Sequence, residues 1–64
     1  MNLYYTNGTY YLEMVGIEMQ KAINYMNTYS DWLYSEVFES EDGDPVFIIE
    51  NDDQEVKIND FKCI

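Results

Sequence analysis

The sequence predicts an α+β fold, a small antiparallel sheet (an N-terminal hairpin plus a C-terminal meander) packed against one helix. Three observations carry this. An Asn-Gly pair splits two β-favouring runs near the start, a period of three to four residues follows Gly16, and short runs of β-formers return between polar turns after Trp32.

The hairpin comes first. Leu3 to Thr6 and Thr9 to Leu12 flank Asn7 and Gly8, two residues that tolerate the positive φ angles of a type I′ turn. A two-residue turn also sets the register, so Thr6 should face Thr9 and Tyr5 should face Tyr10. Asn7-Gly8-Thr9 also matches the glycosylation sequon, but Asn-Gly between two strand-like runs reads as a turn.

After Gly16 the period lengthens. Val15, Met19, Ala22, Met26 and Tyr29 recur at spacings of three and four, with Ile23 widening the stripe, while Glu18, Gln20, Lys21, Asn24 and Asn27 fall outside it. This predicts a helix from about Ile17 to Tyr29. A single apolar stripe on a sole helix reads as core, although its methionines would also suit a plastic partner groove.

The third part reads as a meander. Trp32 to Glu39 is rich in β-formers, residues 41–45 form a turn, Val46 to Glu50 is an apolar run, and Val56 to Ile58 alternates with charge, for up to five strands in all. Pro45 fits only the first position of a strand. Val46 to Ile49 lacks polar alternation and is expected to be the central strand. Helical continuation through Trp32, Leu33 and Glu36 is the alternative, because short apolar runs suit either state.

Length bounds the rest. Sixty-four residues make one domain, 1–64, and a chain this short hides only about 60% of its extended surface on folding. One core of this size supplies roughly 3–5 kcal/mol. The lone Cys63 has no intrachain disulfide partner, which points to a reducing compartment, and the absence of His leaves no soft-ligand metal site. There is no apolar run of membrane-spanning length and no basic-then-apolar leader at the start. The expectation is a complete cytoplasmic protein, acting in a bacterial host cell.

Charge is the strongest signal. Thirteen Asp and Glu oppose three Lys, giving a net charge of −10. The imbalance is uneven: residues 1–30 carry Glu13, Glu18 and Lys21, whereas residues 31–64 carry eleven acids against Lys57 and Lys62, a net of −9. Such a chain repels nucleic acid and anionic membranes and attracts basic surfaces.

Catalytic and ligand-binding motifs fare poorly. There is no His, no Arg, no nucleophile elbow, no phosphate-binding glycine loop, and too little chain to build a desolvating cleft, so the reading is a non-enzyme without cofactors. An EF-hand loop with Gly43 at its sixth position would put Phe38 at the first and Ile49 at the twelfth, where carboxylates are required. That leaves only adventitious binding of divalent cations. Direct nucleic-acid binding would need basic residues that the chain lacks.

The acids are spaced in a suggestive way. Glu39/Glu41, Asp42/Asp44, Glu50/Asp52 and Asp53/Glu55 are i, i+2 pairs, and in extended chain two residues rise roughly 6.6 Å, a step comparable to successive phosphates. A net charge of magnitude about 2–8 already keeps a small domain soluble, so this acidity exceeds that need and costs stability through self-repulsion. Generic solubility remains the competing explanation.

In size, charge and lack of catalytic residues the chain resembles the small acidic inhibitors encoded by bacteriophages, which include DNA-mimicking inhibitors of restriction enzymes, uracil-DNA glycosylase and CRISPR effector nucleases. The resemblance implies an inhibitor that occupies the basic nucleic-acid channel of a defence nuclease. It is a likeness of overall character and carries no residue roles.

The expected partner-binding residues are Glu36, Glu39, Glu41, Asp42, Asp44, Glu50, Asp52, Asp53 and Glu55, with Trp32 and Tyr34 as apolar anchors. The alternative is a regulatory or assembly adaptor, antitoxin-like or a host-takeover protein, that pairs through hydrophobic surface. The expected core is Leu3, Leu12, Val15, Met19, Ala22, Ile23, Met26, Val46, Ile48, Val56 and Ile58. Eleven aromatic rings on so short a chain also predict a homodimer through the nearly uncharged hairpin.

Overall fold

A computed structural model of the chain describes residues 1–29 and 32–50, which form strands β1 (Asn2–Thr6) and β2 (Thr9–Glu13), helix α1 (Met19–Tyr29), and strands β3 (Tyr34–Glu39) and β4 (Pro45–Ile49). The four strands make one antiparallel sheet in the order β1-β2-β4-β3. The α+β class is therefore as the sequence predicts.

The hairpin follows from its turn. Asn7 and Gly8 take φ of 52° and 80°, the left-handed pair that a type I′ turn needs, and the ladder runs from Thr6↔Thr9 through Tyr5↔Tyr10 to Asn2↔Glu13. The register is the one expected.

β4 lies at the centre, between β2 and β3, with Pro45 as its first residue. Because β2 and β3 both run antiparallel to β4, they run parallel to each other. The chain from β2 to β3 therefore crosses over β4, and α1 lies in that crossover. Both edges of β4 are occupied, so no further strand pairs with it and the simple meander stops at the β3–β4 hairpin. The fifth strand expected at Val56 to Ile58 lies outside the described residues. Residues 34–39 are strand, with no helical continuation.

The helix begins two residues later than its apolar period suggested. Glu18 caps it: the Gln20 N–H donates to Glu18 Oε1 at 3.2 Å, and the Ala22 N–H donates to the Glu18 carbonyl at 3.0 Å. Its inward face is Ala22, Tyr25 and Met26.

The core lies between α1 and one face of the sheet. It comprises Leu12, Met14, Ala22, Tyr25, Met26, Trp32, Phe47 and Ile49, with Leu3, Ile17, Ile23, Tyr34 and Val37 packed against it. Two expectations are corrected here. Ile48 is only half-buried while Phe47 and Ile49 are fully enclosed, because side chains alternate across a strand and the odd-numbered set meets the helix. Val15 sits in the loop after β2 and is 56% exposed. Met19 is half-buried, Val46 is buried on the opposite sheet face, and Val56 and Ile58 lie outside the described residues.

Candidate partner-binding surface

The acidic residues are brought together mainly at one end of the sheet. Between β3 and β4 the chain turns at Ser40 to Asp44. The Gly43 N–H donates to the Ser40 carbonyl at 2.9 Å, the Ser40 N–H to the Asp44 carbonyl at 2.8 Å, and the Asp44 N–H to Ser40 Oγ at 3.1 Å. Gly43 takes φ 84°, which suits a residue without a side chain. This closed turn presents Glu39, Glu41 and Asp42, all exposed.

Topology adds three more acids nearby. Glu13 pairs with Val46 and so lies beside the start of β4, while the Met14 N–H donates to the Pro45 carbonyl at 2.9 Å. Asp44 binds the Gly16 N–H, and Glu18 follows two residues later at the helix cap. Lys21 is the only basic side chain among the described residues. Among those residues no three acids are arranged to hold a metal ion, so the end offers an extended negative field to a charged surface.

Within that end the roles differ. Asp44 is half-buried and its carboxylate holds the β2–α1 loop, a structural duty that competes with partner contact. Glu36 lies midway along the edge strand β3, opposite Ile48, and exposed Glu50 lies at the far end, where its N–H donates to the Leu33 carbonyl at 2.9 Å. Asp52, Asp53 and Glu55 lie outside the described residues.

Of the two expected anchors, Trp32 is corrected. Trp32 is 6% exposed and belongs to the core, so its ring is not offered to a partner. Tyr34 is half-buried, packs edge-on against Phe47 with ring centroids 4.9 Å apart, and donates its hydroxyl to Asn27 Oδ1 at 3.2 Å. In both cases the chain entering β3 passes close to the helix, and a large ring there is the material available to fill the space.

The sheet face away from the helix supplies other anchors. The β-ladder places Tyr4, Tyr11, Val46, Ile48, Glu36 and Phe38 on that face. Tyr4 is 50% exposed and Phe38 is 43% exposed, and together with Tyr11, Glu13 and Val46 they line a shallow trough. At its rim Glu13 Oε1 accepts from the Tyr4 hydroxyl at 3.1 Å and from Asn2 Nδ2 at 3.4 Å. The hydrogen bond to Glu13 raises the Tyr4 pKa above its usual value, with desolvation and the Glu13 charge acting in the same direction. The expected register Tyr5↔Tyr10 already implied that Tyr4 and Tyr11 share a face. What periodicity could not give was which face the helix covers.

Comparison with protein-family models, with curated protein sequences and with solved structures gave no match.

Proposed function

We propose that the protein is a non-enzymatic inhibitor that binds the basic, nucleic-acid-holding surface of a partner protein. A defence nuclease such as a CRISPR effector is the partner class that the likeness to small acidic phage inhibitors suggests. The supporting observation is the β3–β4 turn, which carries Glu39, Glu41 and Asp42 outward beside the sheet face away from the helix, where Tyr4 and Phe38 are exposed. Carboxylates replace the phosphates that Lys and Arg of the partner would otherwise hold, and the rings give apolar contact next to them. Complementary fields of this kind raise association rates by roughly 10–10³-fold and lose that gain in salt.

Competition tests the reading. A fluorescent DNA duplex or guide RNA is bound to purified effector nucleases, and the protein is titrated in at low and at high salt. Displacement at low salt that weakens steeply at high salt is expected. Failure to displace nucleic acid from any basic effector ends the proposal.

A second reading is favoured by the exposed rings on the same face: an adaptor that pairs through Tyr4, Tyr11 and Phe38, its charge serving solubility. Tyr4→Ser/Phe38→Ser abolishes binding by an adaptor and only weakens a charge mimic. Neutralising the β3–β4 turn has the reverse effect.

A further inference from the structure

The two edges of the sheet are not alike. β3 is defended: its register shifts between Tyr34 and Glu36, the Ser35 hydroxyl turns onto the Ile48 carbonyl at 3.5 Å, and Glu36 and Glu39 sit along it. A bulge and inward or edge charges are the usual devices that stop an edge strand from pairing again. β1 has neither. Its five residues, Asn2 to Thr6, are regular and uncharged, contain no proline, and pair only with β2 among the described residues.

The turn determines which main-chain groups β1 leaves open. Thr6 and Thr9 flank a two-residue hairpin turn and so form a hydrogen-bonded pair, and alternate residues then point the same way. Thr6, Tyr4 and Asn2 direct N–H and C=O toward β2. Leu3 and Tyr5 direct theirs away from the sheet.

We infer that β1 pairs with β1 of a second copy of this chain, antiparallel about a two-fold axis at Tyr4, to make a continuous eight-stranded sheet. With the axis there, Leu3 faces the partner's Tyr5 and Tyr5 the partner's Leu3. Both are hydrogen-bonded pairs, four main-chain bonds in all, and the two Tyr4 residues meet as a close non-hydrogen-bonded pair. This register is the only two-fold pairing that engages every residue of the strand.

Charge argues for a second copy as the occupant. β1 itself carries no Asp, Glu or Lys, and Glu13, bonded to the Tyr4 hydroxyl, is the one acid beside it among the described residues, so of the sheet's two edges this is the one where two copies meet with less repulsion. Among the described strands, β3 becomes the outermost of each protomer. Seven inter-strand gaps of roughly 4.8 Å then separate the two β3 strands by about 34 Å, several times the Debye length of about 8 Å at physiological ionic strength. The acidic turns are screened from each other and remain open to a partner.

Sedimentation equilibrium and engineered cysteines test the pairing. In a Cys63→Ser background, Tyr4→Cys should cross-link two chains on mild oxidation, because a non-hydrogen-bonded pair brings Cα atoms to about 4.5 Å, within disulfide range. Thr6→Cys should not, since the two copies of residue 6 sit at opposite ends of the paired strands. Tyr5→Pro and Tyr5→Ser both delete the ring that stacks on Tyr10, 4.7 Å away, but only proline also removes the outward N–H. The dimer of Tyr5→Pro should dissociate at least about tenfold more readily than that of Tyr5→Ser. The pairing is overturned by a wild-type monomer whose Leu3 and Tyr5 amides exchange freely, which would leave the edge to a strand of another protein. It is equally overturned by cross-linking through Thr6→Cys as fast as through Tyr4→Cys, or by equal dissociation of the two position-5 variants.

Discussion

Asp44 Oδ1 accepts the Gly16 N–H at 3.0 Å, joining two loops that are 28 residues apart in sequence. The contact ties the β3–β4 turn to the start of the crossover, and so fixes the acidic turn relative to the helix cap. Gly16 takes φ 78°, a conformation that a side chain resists even though nothing lies within 4 Å of where a Cβ would stand. Asp44→Ala should therefore lower stability by about 1 kcal/mol, the ordinary worth of such a bond. Asp44→Asn keeps an acceptor oxygen and should cost less. Urea melts of the two variants check this, and equal losses would show that the charge of Asp44, rather than its bond to Gly16, sustains the turn.

The position of β4 predicts a contrast between neighbours. Phe47 is fully enclosed between Leu12, Val37 and the helix, and Phe47→Ala should cost about 3–5 kcal/mol, all that a core of this size supplies. That variant should be unfolded at room temperature. Ile48 points to the face away from the helix and is half-buried, so Ile48→Thr should remain folded with a lowered melting temperature. Circular dichroism on both decides it. Loss of folding in Ile48→Thr with retention in Phe47→Ala would reverse the assignment of faces.

That contrast marks where the sequence stops being informative. The hairpin was legible because Asn7 and Gly8 constrain backbone angles locally, and a two-residue turn admits one register. β4 was legible as the central strand from its unbroken apolar run. That same lack of alternation conceals which of its residues meet the helix: Phe47 and Ile49 do, while Val46 is buried on the opposite face and Ile48 is half-buried there. Helix phase was lost in a similar way, with Tyr25 buried and Tyr29 61% exposed, since both tyrosines border the apolar stripe. Trp32 reads as an anchor because eleven aromatic rings are more than a small core needs. Its burial depends on the crossover, which no local pattern encodes. The acidic turn at Glu39 to Asp42 was legible because it needs only a turn and its charges.

Tyr4 and Glu13 give a prediction in pH. Hydrogen bonding to Glu13 raises the Tyr4 pKa above the ordinary phenol value of 10.0 by favouring the protonated phenol. A folded-state pKa above the unfolded value means that this contribution to stability is fully present below pH 10.0 and is lost as pH rises through the raised pKa. Glu13→Gln removes the charge and the stronger acceptor, and should bring the Tyr4 titration back toward the ordinary phenol range. Following the assigned Tyr4 ring resonance by NMR through alkaline pH distinguishes the cases. An unchanged Tyr4 titration in Glu13→Gln would mean that the Glu13 contact does not form in solution.

The acidic turn should respond to neutralisation with opposite signs in folding and in binding. Glu39, Glu41 and Asp42 are exposed and crowded at one end, so Glu39→Gln/Glu41→Gln/Asp42→Asn relieves repulsion and should leave stability unchanged or raise it by at most about 0.5 kcal/mol per site. The same variant should lose most of its capacity to displace nucleic acid from a basic partner, chiefly through slower association, with a shallower salt dependence than the parent. Asp52→Asn/Asp53→Asn/Glu55→Gln is the comparison, since it removes three charges from the other acidic stretch that the sequence marks as partner-binding. If placement at the β3–β4 turn governs recognition, this second variant should retain most of the binding and the turn variant should not. Stopped-flow association across a salt series, run beside thermal melts, measures both effects. Equal loss from the two triple variants would reduce the turn to a share of net charge, and a fall in stability of the turn variant would mean that its carboxylates hold the fold rather than a partner.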